Sequence, residues 1–314
     1  MYRIGIDLGG TNISAGLVGE DGKLLYKASV PTGMEMSDVG ITELMAKFCL
    51  NIVKNCDISE KDIESIGIGC PGVCDDENGI LQYTVNLPFR DTNIAEIFSH
   101  FISAPVHLAN DANCAALGEV VAGAAKGHKS SITLTLGTGV GGGIIIDGKI
   151  YTGFNHAAGE MGHITIHAGG ELCGCGRKGC LEAYASATAL IRESKRAFDE
   201  HPESLIRKLC DGDKNKINAK TPFDAKRAGD ETGTQIVENY IRDLGEGIIN
   251  YINVFQPEIV LLGGGVSKEG EYLLKPLREY VYQYTYGHDF LPLTKIECAM
   301  LGNDAGIIGA AMLD

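Results

Sequence analysis

Basic residues are scarce in this chain of 314 residues, which has 27 lysines and arginines against 41 aspartates and glutamates. Binding to nucleic acid or to an anionic membrane requires a basic face opposite the phosphates, and a net charge of −14 argues against one. The sequence also lacks an apolar run of membrane-spanning length and an amino-terminal signal peptide. We therefore expect a cytoplasmic protein with neither a nucleic-acid partner nor a membrane partner.

A disulfide framework is missing as well. The ten cysteines have no regular spacing, and several lie inside apolar segments such as residues 66–70. Scattered buried thiols are typical of a reducing compartment. A Walker-type loop, G-x-x-x-x-G-K-[ST], is also absent, so any bound nucleotide must be held in another way.

The hydrophobic content of 44% is sufficient for a large core, and the length suggests two lobes. Alternation and glycine turns predict strands, and helical periodicity between them predicts an α/β protein. The predicted strands are residues 2–7, 13–18, 24–30, 65–70, 104–109, 131–136, 144–146, 258–262 and 295–299. The predicted helices are residues 37–56, 112–125, 181–199, 202–209, 222–228, 231–255, 271–286 and 304–312.

One segment, residues 159–182, is too rich in glycine and charge for its cysteines to be core residues; we call it the cysteine loop. Cys173, Cys175 and Cys180 lie in it, and thiolates at such close spacing favour a metal over a disulfide in a reducing compartment. A fourth ligand is available in His163 or in His167. The sequence therefore predicts a structural zinc site; the alternative is that the thiols are free and that the histidine is an ordinary strand residue.

Two hairpins carry glycine and threonine between their strands. The first glycine loop, residues 9–12, contains Gly9, Gly10, Thr11 and Asn12 and follows Asp7; the second, residues 137–143, begins with Gly137, Thr138 and Gly139. Backbone N–H groups and a threonine hydroxyl in such a turn can bind phosphate, and a nearby aspartate can hold a metal ion. For the first loop alone, an ordinary tight hairpin is an equal alternative, but the repetition indicates a nucleotide site.

Three other features are candidates for ligand contact. The glycine segment of Gly263, Gly264 and Gly265 lies between a strand and a helix, where a flat group could approach the backbone or the helix could pack closely on the strand. Asp111 follows a strand and precedes a helix, so it is either the helix cap or a catalytic base. Asn86 lies in an irregular loop and has either a turn role or a ligand role.

Taken together and in this order, these motifs resemble the ROK family of sugar kinases and repressors, within the actin-like ATPase superfamily. The resemblance covers essentially the whole chain. Its carriers are residues 7–12, 110–113, 136–143, 159–163, 173–182 and 263–265.

The resemblance implies roles for individual residues. The zinc ligands would be His163, Cys173, Cys175 and Cys180, which selects His163 over His167. The nucleotide and Mg²⁺ would lie at Asp7, the two glycine loops and residues 263–265. A sugar pocket would be lined by Gly72, Asn86, Asn110, Asp111, Glu160, His163 and Glu182.

The resemblance also implies an α/β actin-like ATPase (ribonuclease H-like) fold with two lobes, a ligand cleft between them and the zinc-stabilised loop in the larger one. We expect a small lobe from residues 1–112, completed by the C-terminal helix in residues 300–314, and a large lobe from residues 113–299. ROK repressors carry a helix-turn-helix domain ahead of the first glycine loop. Here the motif of that loop begins at Asp7, which leaves no room for such a domain, so the sequence favours a kinase.

The expected reaction is transfer of the ATP γ-phosphoryl group to the 6-hydroxyl of a hexose, with Asp111 as general base and lobe closure excluding water. Residues 72–88 are most similar to those of glucokinases, although Phe89 stands where tryptophan is common. The alternatives are an N-acetylmannosamine or N-acetylglucosamine kinase and, from another class, a sugar-sensing regulator without turnover. Family habit implies a homodimer or homotetramer.

Overall fold

The computed structural model describes residues 1–33 and 35–314. Its strands are β1 Tyr2–Leu8, β2 Asn12–Gly19, β3 Leu24–Pro31, β4 Ile63–Cys70, β5 Gly72–Asp75, β6 Ile80–Thr84, β7 Arg90–Asn93, β8 Val106–Asn110, β9 Ser131–Leu136, β10 Val140–Ile146, β11 Lys149–Ile150, β12 Ile259–Gly263 and β13 Lys295–Cys298. Its α-helices are α1 Asp38–Asn55, α2 Ile94–Ser99, α3 Asp111–Ala122, α4 Glu182–Ala185, α5 Ala187–Glu200, α6 Ile206–Leu209, α7 Thr221–Arg227, α8 Glu231–Phe255, α9 Glu271–Tyr284 and α10 Ala305–Ala311.

The strands form three sheets. One five-stranded sheet has the order β3-β2-β1-β4-β8 and the other has the order β11-β10-β9-β12-β13. In the first, β1, β2 and β3 form an antiparallel meander, β4 pairs with β1 in parallel, and β8 pairs with β4 in parallel. A small antiparallel sheet consists of β5, β6 and β7.

The chain divides into two compact units. The first contains Met1–Thr133, Gly143–Gly159 and Ala299–Asp314, and the second contains Leu134–Gly142 and Glu160–Cys298. The boundary predicted after residue 112 falls inside α3, because that helix packs closely within the first unit rather than beginning a new one.

The C-terminal helix α10 packs on the first unit with almost no side chains between the two backbones. A Cβ atom at Gly67 in β4 would lie 1.7 Å from the carbonyl oxygen of Ala310, and one at Gly5 in β1 would lie 1.9 Å from that of Ile307. Only glycine permits this approach. The first sheet and α10 are therefore held at backbone contact, directly behind the strands that carry Asp7 and Asn110.

The second unit is built around α8, which has an apolar face and ends in the left-handed conformation at Gln256 (φ 45°). The side chain of Asp230 caps its N-terminus by accepting from the N–H of Gly233 at 2.9 Å. The sequence predicts this helix with its observed bounds. No helix in the described part of the chain is long and apolar enough to cross a membrane.

Several sequence predictions are wrong in detail. The helix predicted over residues 202–209 is limited to Ile206–Leu209. The helix predicted over residues 181–199 is interrupted at Ser186, whose hydroxyl accepts from the N–H of Ala189 at 3.1 Å and so starts a new helix, α5. The second glycine loop is partly a strand, since β10 begins at Val140 rather than at Ile144. The turn itself is limited to residues 137–139.

Candidate functional site

The structure brings the four predicted metal ligands together. One ring nitrogen of His163 and the sulfur atoms of Cys173, Cys175 and Cys180 all lie within 4.8 Å of one another. The separation is 3.6 Å from Cys173 Sγ to His163 Nδ1 and 3.6 Å between the sulfurs of Cys175 and Cys180.

These separations fit a tetrahedral zinc ion. With zinc–sulfur bonds of about 2.3 Å, the sulfurs at two corners of a tetrahedron lie roughly 3.8 Å apart. One neutral imidazole and three thiolates are donors that zinc prefers, and four protein ligands close the coordination shell. The cysteine loop therefore has the geometry of a structural zinc site rather than of an open catalytic one.

His167, the other possible ligand, is engaged elsewhere. Its Nε2 lies 2.9 Å from Oδ1 of Asp243 in α8, and its ring lies edge-on to that of Tyr184 with the centroids 4.6 Å apart. The selection of His163 over His167 thus agrees with the position of each side chain.

The thiols differ in their surroundings. Burial raises the pKa of Cys173 and of Cys180, whereas the backbone N–H of Arg177 lowers the pKa of the exposed Cys175. A metal that binds here must displace the protons of the buried thiols, so metal binding and proton release are coupled.

Short backbone contacts hold the cysteine loop in shape. Isolated β-bridges join Thr165 to Cys180 and Leu172 to Lys178. At Gly179 (φ 88°) a Cβ atom would lie 1.7 Å from the carbonyl oxygen of His167, so only glycine fits between the two arms of the loop.

Helix α8 holds the cysteine loop and the short helix α4 that follows it through three polar side chains on its buried face. Tyr240 donates to the carbonyl of Ala185 at 2.9 Å, Asp243 pairs with His167, and Tyr251 donates to the carbonyl of Met161. Sequence reasoning missed all three residues. The available signal was an aspartate, Asp243, within an otherwise apolar stripe, because a buried carboxylate requires a partner.

Replacing Tyr251 by phenylalanine should lower the free energy of unfolding by about 1–3 kcal/mol, because the buried Met161 carbonyl loses its donor. Tyr251 is 3% exposed. Urea denaturation would measure the change. Tyr286→Phe is the matched control, since Tyr286 is 74% exposed in the same unit and should leave stability unchanged; equal stabilities for both variants would contradict the anchoring role of Tyr251.

The short 3₁₀ turn of Met161–His163 presents two of the predicted sugar ligands. His163 directs Nδ1 toward the cysteines, and its Nε2 lies 3.9 Å from Oε2 of the exposed Glu160. A histidine can bind a metal through one nitrogen and contact another group through the second. The third predicted ligand in this unit, Glu182, begins α4 and lies 3.4 Å from the Cys173 sulfur through Oε1.

Two glycine-rich segments meet in the second unit. Gly264 (φ 84°) is exposed, and a Cβ atom there would lie 2.5 Å from the carbonyl oxygen of Leu136, the last residue of β9. Residues 263–265 therefore adjoin the start of the second glycine loop, in which Thr138 is exposed. Backbone from both segments is accessible to a ligand at this point.

In the first unit, Asn110 rather than Asp111 caps α3. Asn110 Oδ1 accepts from the N–H of Ala112 at 2.9 Å, and its Nδ2 donates to the carbonyl of Gly72 at 3.3 Å. Asp111 is the first residue of the helix and also accepts from Ala112 N–H, at 2.8 Å. Because Asn110 is the helix cap, the carboxylate of Asp111 is not needed in that role. The other prediction for Asp111, that it is a catalytic base, still stands.

Asn86 lies on the exposed loop between β6 and β7, and the side chains around it alternate in direction. Leu87 is 5% exposed and Phe89 is fully buried in the core of the first unit. Phe89, the departure from the pattern common in glucokinases, is therefore a core residue.

The first glycine loop closes the hairpin of β1 and β2. The N–H of Gly9 donates to the carbonyl of Asn12 at 3.0 Å, and the hydroxyl of Thr32 donates to the carbonyl of Gly9 at 2.7 Å. Thr11 and Asn12 are exposed. Burial raises the pKa of Asp7, and the charge of Lys27 opposes that shift.

The order of these motifs and the geometry of the cysteine loop define the class. The chain belongs to the ROK family, which matches residues 3–314, and this confirms the resemblance inferred from the motifs. It is 39% identical to a glucokinase of Thermotoga maritima over 311 residues, which cover 99% of this chain and 96% of the relative.

Solved structures similar to this chain belong to the same family. A ROK family glucokinase from Streptomyces griseus in complex with glucose and AMPPNP is 36% identical, with a TM-score of 0.79 over 99% of this chain and 98% of that one. A ROK hexokinase from Thermus thermophilus is 35% identical, with a TM-score of 0.84 over 99% and 97% of the two chains. The predicted α/β actin-like ATPase fold is thereby confirmed.

Proposed function

We propose that this protein is an ATP-dependent glucokinase that phosphorylates the 6-hydroxyl of glucose. The observation that carries the proposal is the similarity, over nearly the whole chain, to ROK glucokinases, one of which was crystallised with glucose and an ATP analogue. The motifs at Asp7, Asn110, Asp111, Glu160 and His163 are all present and lie at or near the ends of strands and helices.

Asp111 is proposed as the general base. A carboxylate at the start of a helix can accept the proton of the 6-hydroxyl as the oxygen attacks the γ-phosphorus. The bond from that phosphorus to the β,γ-bridging oxygen breaks, ADP leaves, and the proton stays on the carboxyl group until water takes it. The neighbouring Asn110 is held by the backbone at Ala112 and Gly72, so the junction of β8 and α3, where Asp111 lies, has a fixed conformation.

The sugar hydroxyls are proposed to bind the polar groups that the motifs supply, namely Asn86, Asn110, the Gly72 backbone, Glu160, His163 and Glu182. Carboxylates accept from hydroxyls, while the Nε2–H of a metal-bound His163 would donate to one. Zinc at the cysteine loop would fix the orientation of this histidine.

ATP is proposed to bind the two glycine loops and residues 263–265, with Mg²⁺ at Asp7. A buried carboxylate whose pKa is raised by burial is stabilised in its ionised form by a bound cation. Phosphoryl transfer depends mainly on positioning and charge neutralisation, which backbone N–H groups and Mg²⁺ supply.

The position of transfer can be tested with 6-deoxyglucose. We expect glucose, ATP and Mg²⁺ to yield a product whose ³¹P spectrum shows the phosphate coupled to the two hydrogens on carbon 6. We expect 6-deoxyglucose to give no phosphorylated product and to inhibit competitively with glucose. Phosphorylation of 6-deoxyglucose would contradict transfer to the 6-hydroxyl.

A cytoplasmic homodimer or homotetramer is also proposed. None of the ten cysteines, all of which the structure describes, is in a disulfide, which suits a reducing compartment. Light scattering coupled to size-exclusion chromatography would give the mass of the assembly, and a mass of one chain of 33.4 kDa would contradict an oligomer.

A further inference from the structure

The carboxylate of Glu182 touches two different parts of the second unit. Its Oε2 accepts from the backbone N–H of Val140, at the end of the glycine turn, with a distance of 3.0 Å. Its Oε1 lies 3.4 Å from the sulfur of Cys173. A single side chain therefore joins the second glycine loop to the cysteine cluster.

A side chain at position 139 would displace the carboxylate of Glu182 from its observed position. A Cβ atom on Gly139 would lie 2.3 Å from Oε2 of Glu182, closer than any real contact. Close packing against Glu182 is thus one reason for glycine at this position, separate from any contact of Gly139 with phosphate.

Two further hydrogen bonds reach the same turn from the start of α5. The N–H of Ala187 donates to the carbonyl of Gly137 at 2.8 Å, and the hydroxyl of Thr188 donates to the carbonyl of Thr138 at 2.7 Å. The residues that hold the turn all follow Cys180 closely in sequence. The conformation of the second glycine loop is consequently tied to the end of the cysteine loop.

We propose that Glu182 is a positioning residue for the second glycine loop and links the shape of that loop to the cysteine cluster. The inference rests on the proposed function, in which this loop binds the phosphates of ATP. It assigns Glu182 a role in nucleotide binding in addition to its proposed contact with the sugar. Loss of its carboxylate should therefore weaken nucleotide binding even when no sugar is present.

Calorimetric titration with Mg²⁺ and AMPPNP, in the absence of sugar, separates the two roles. Glu182→Ala should raise the Kd for the nucleotide about tenfold, because a turn that the carboxylate no longer holds must be ordered when the nucleotide binds. Glu182→Gln should raise it much less, because the amide oxygen still accepts from Val140 N–H. If Glu182 contacts only the sugar, both variants should have the wild-type Kd for the nucleotide.

Two further variants provide a control and a second test. Glu171→Ala removes a carboxylate from the same loop, one that pairs with Arg196 at 2.8 Å, and should leave the nucleotide Kd unchanged. Gly139→Ala displaces Glu182 without altering it and should weaken binding as Glu182→Ala does. Thermal melts of each variant would confirm that it is folded.

Metal removal provides an independent arm. Protein stripped of zinc, with the loss verified by elemental analysis, should bind the nucleotide about tenfold more weakly, and added zinc should restore the affinity. Unchanged nucleotide affinity in Glu182→Ala and Gly139→Ala, with a wild type that phosphorylates glucose, would overturn the positioning role alone. A wild type that binds no nucleotide would overturn the proposed function and this inference together.

Discussion

Asp111→Asn is expected to lower kcat by about 10²–10⁴-fold, the usual contribution of a general base. Asparagine has nearly the same shape and can still accept from the N–H of Ala112, so the helix start should be preserved. It cannot accept the proton of the attacking hydroxyl. Zinc content and the glucose Kd should stay close to the wild-type values, and steady-state kinetics would show the loss in kcat rather than in KM.

Asp38→Asn is a matched control for this substitution. Asp38 is also the first residue of a helix, and it accepts from the next N–H, that of Val39, at 2.9 Å. Asp38 lies outside the proposed site, so the kcat of the Asp38→Asn variant should equal that of the wild type. Unaltered turnover in Asp111→Asn would contradict the base, and an equal loss in both variants would point to folding instead.

Cys180→Ser is expected to abolish zinc binding and to disorder the cysteine loop. The sulfur of Cys180 is fully buried and lies 3.6 Å from that of Cys175. A hydroxyl is a poor zinc ligand, and loss of a structural zinc removes the folding free energy that binding supplies. Elemental analysis should fall from about one zinc per chain to nearly none, and proteolysis should cut within residues 163–180.

Cys210→Ser provides the comparison, because Cys210 is 2% exposed in the same unit but outside the cluster. The Cys210→Ser variant should have a lower free energy of unfolding, because it buries a hydroxyl, and it should keep its zinc. Retention of zinc by Cys180→Ser would contradict the ligand set. Loss of zinc by both variants would indicate a general effect of replacing a buried cysteine.

Local signals predicted much of the fold. The hairpin of β1 and β2 follows from alternation around a glycine turn, and α8 follows from a capping aspartate before an amphipathic stripe. The four metal ligands also share one short stretch of chain. Because each of these features depends on neighbours in sequence, pattern reasoning was sufficient to predict them.

Other features depend on contacts that are distant in sequence. Tyr251 reaches Met161 and Asp243 reaches His167 across 90 and 76 residues, so no local pattern links them. The break at Ser186 was missed because apolar periodicity continues across it. Asn110 and Asp111 are both good caps, and only the observed end of β8 shows which of them is used.

The central claim is most directly tested by a coupled ADP-release assay with ATP, Mg²⁺ and glucose, N-acetylmannosamine or N-acetylglucosamine. We predict rapid turnover with glucose and at most weak turnover with the two N-acetyl sugars. Turnover with an N-acetyl sugar alone would retain the kinase mechanism and replace the substrate. Silence with all three sugars, in protein that carries its zinc, would contradict the glucokinase assignment and favour a sugar-sensing regulator.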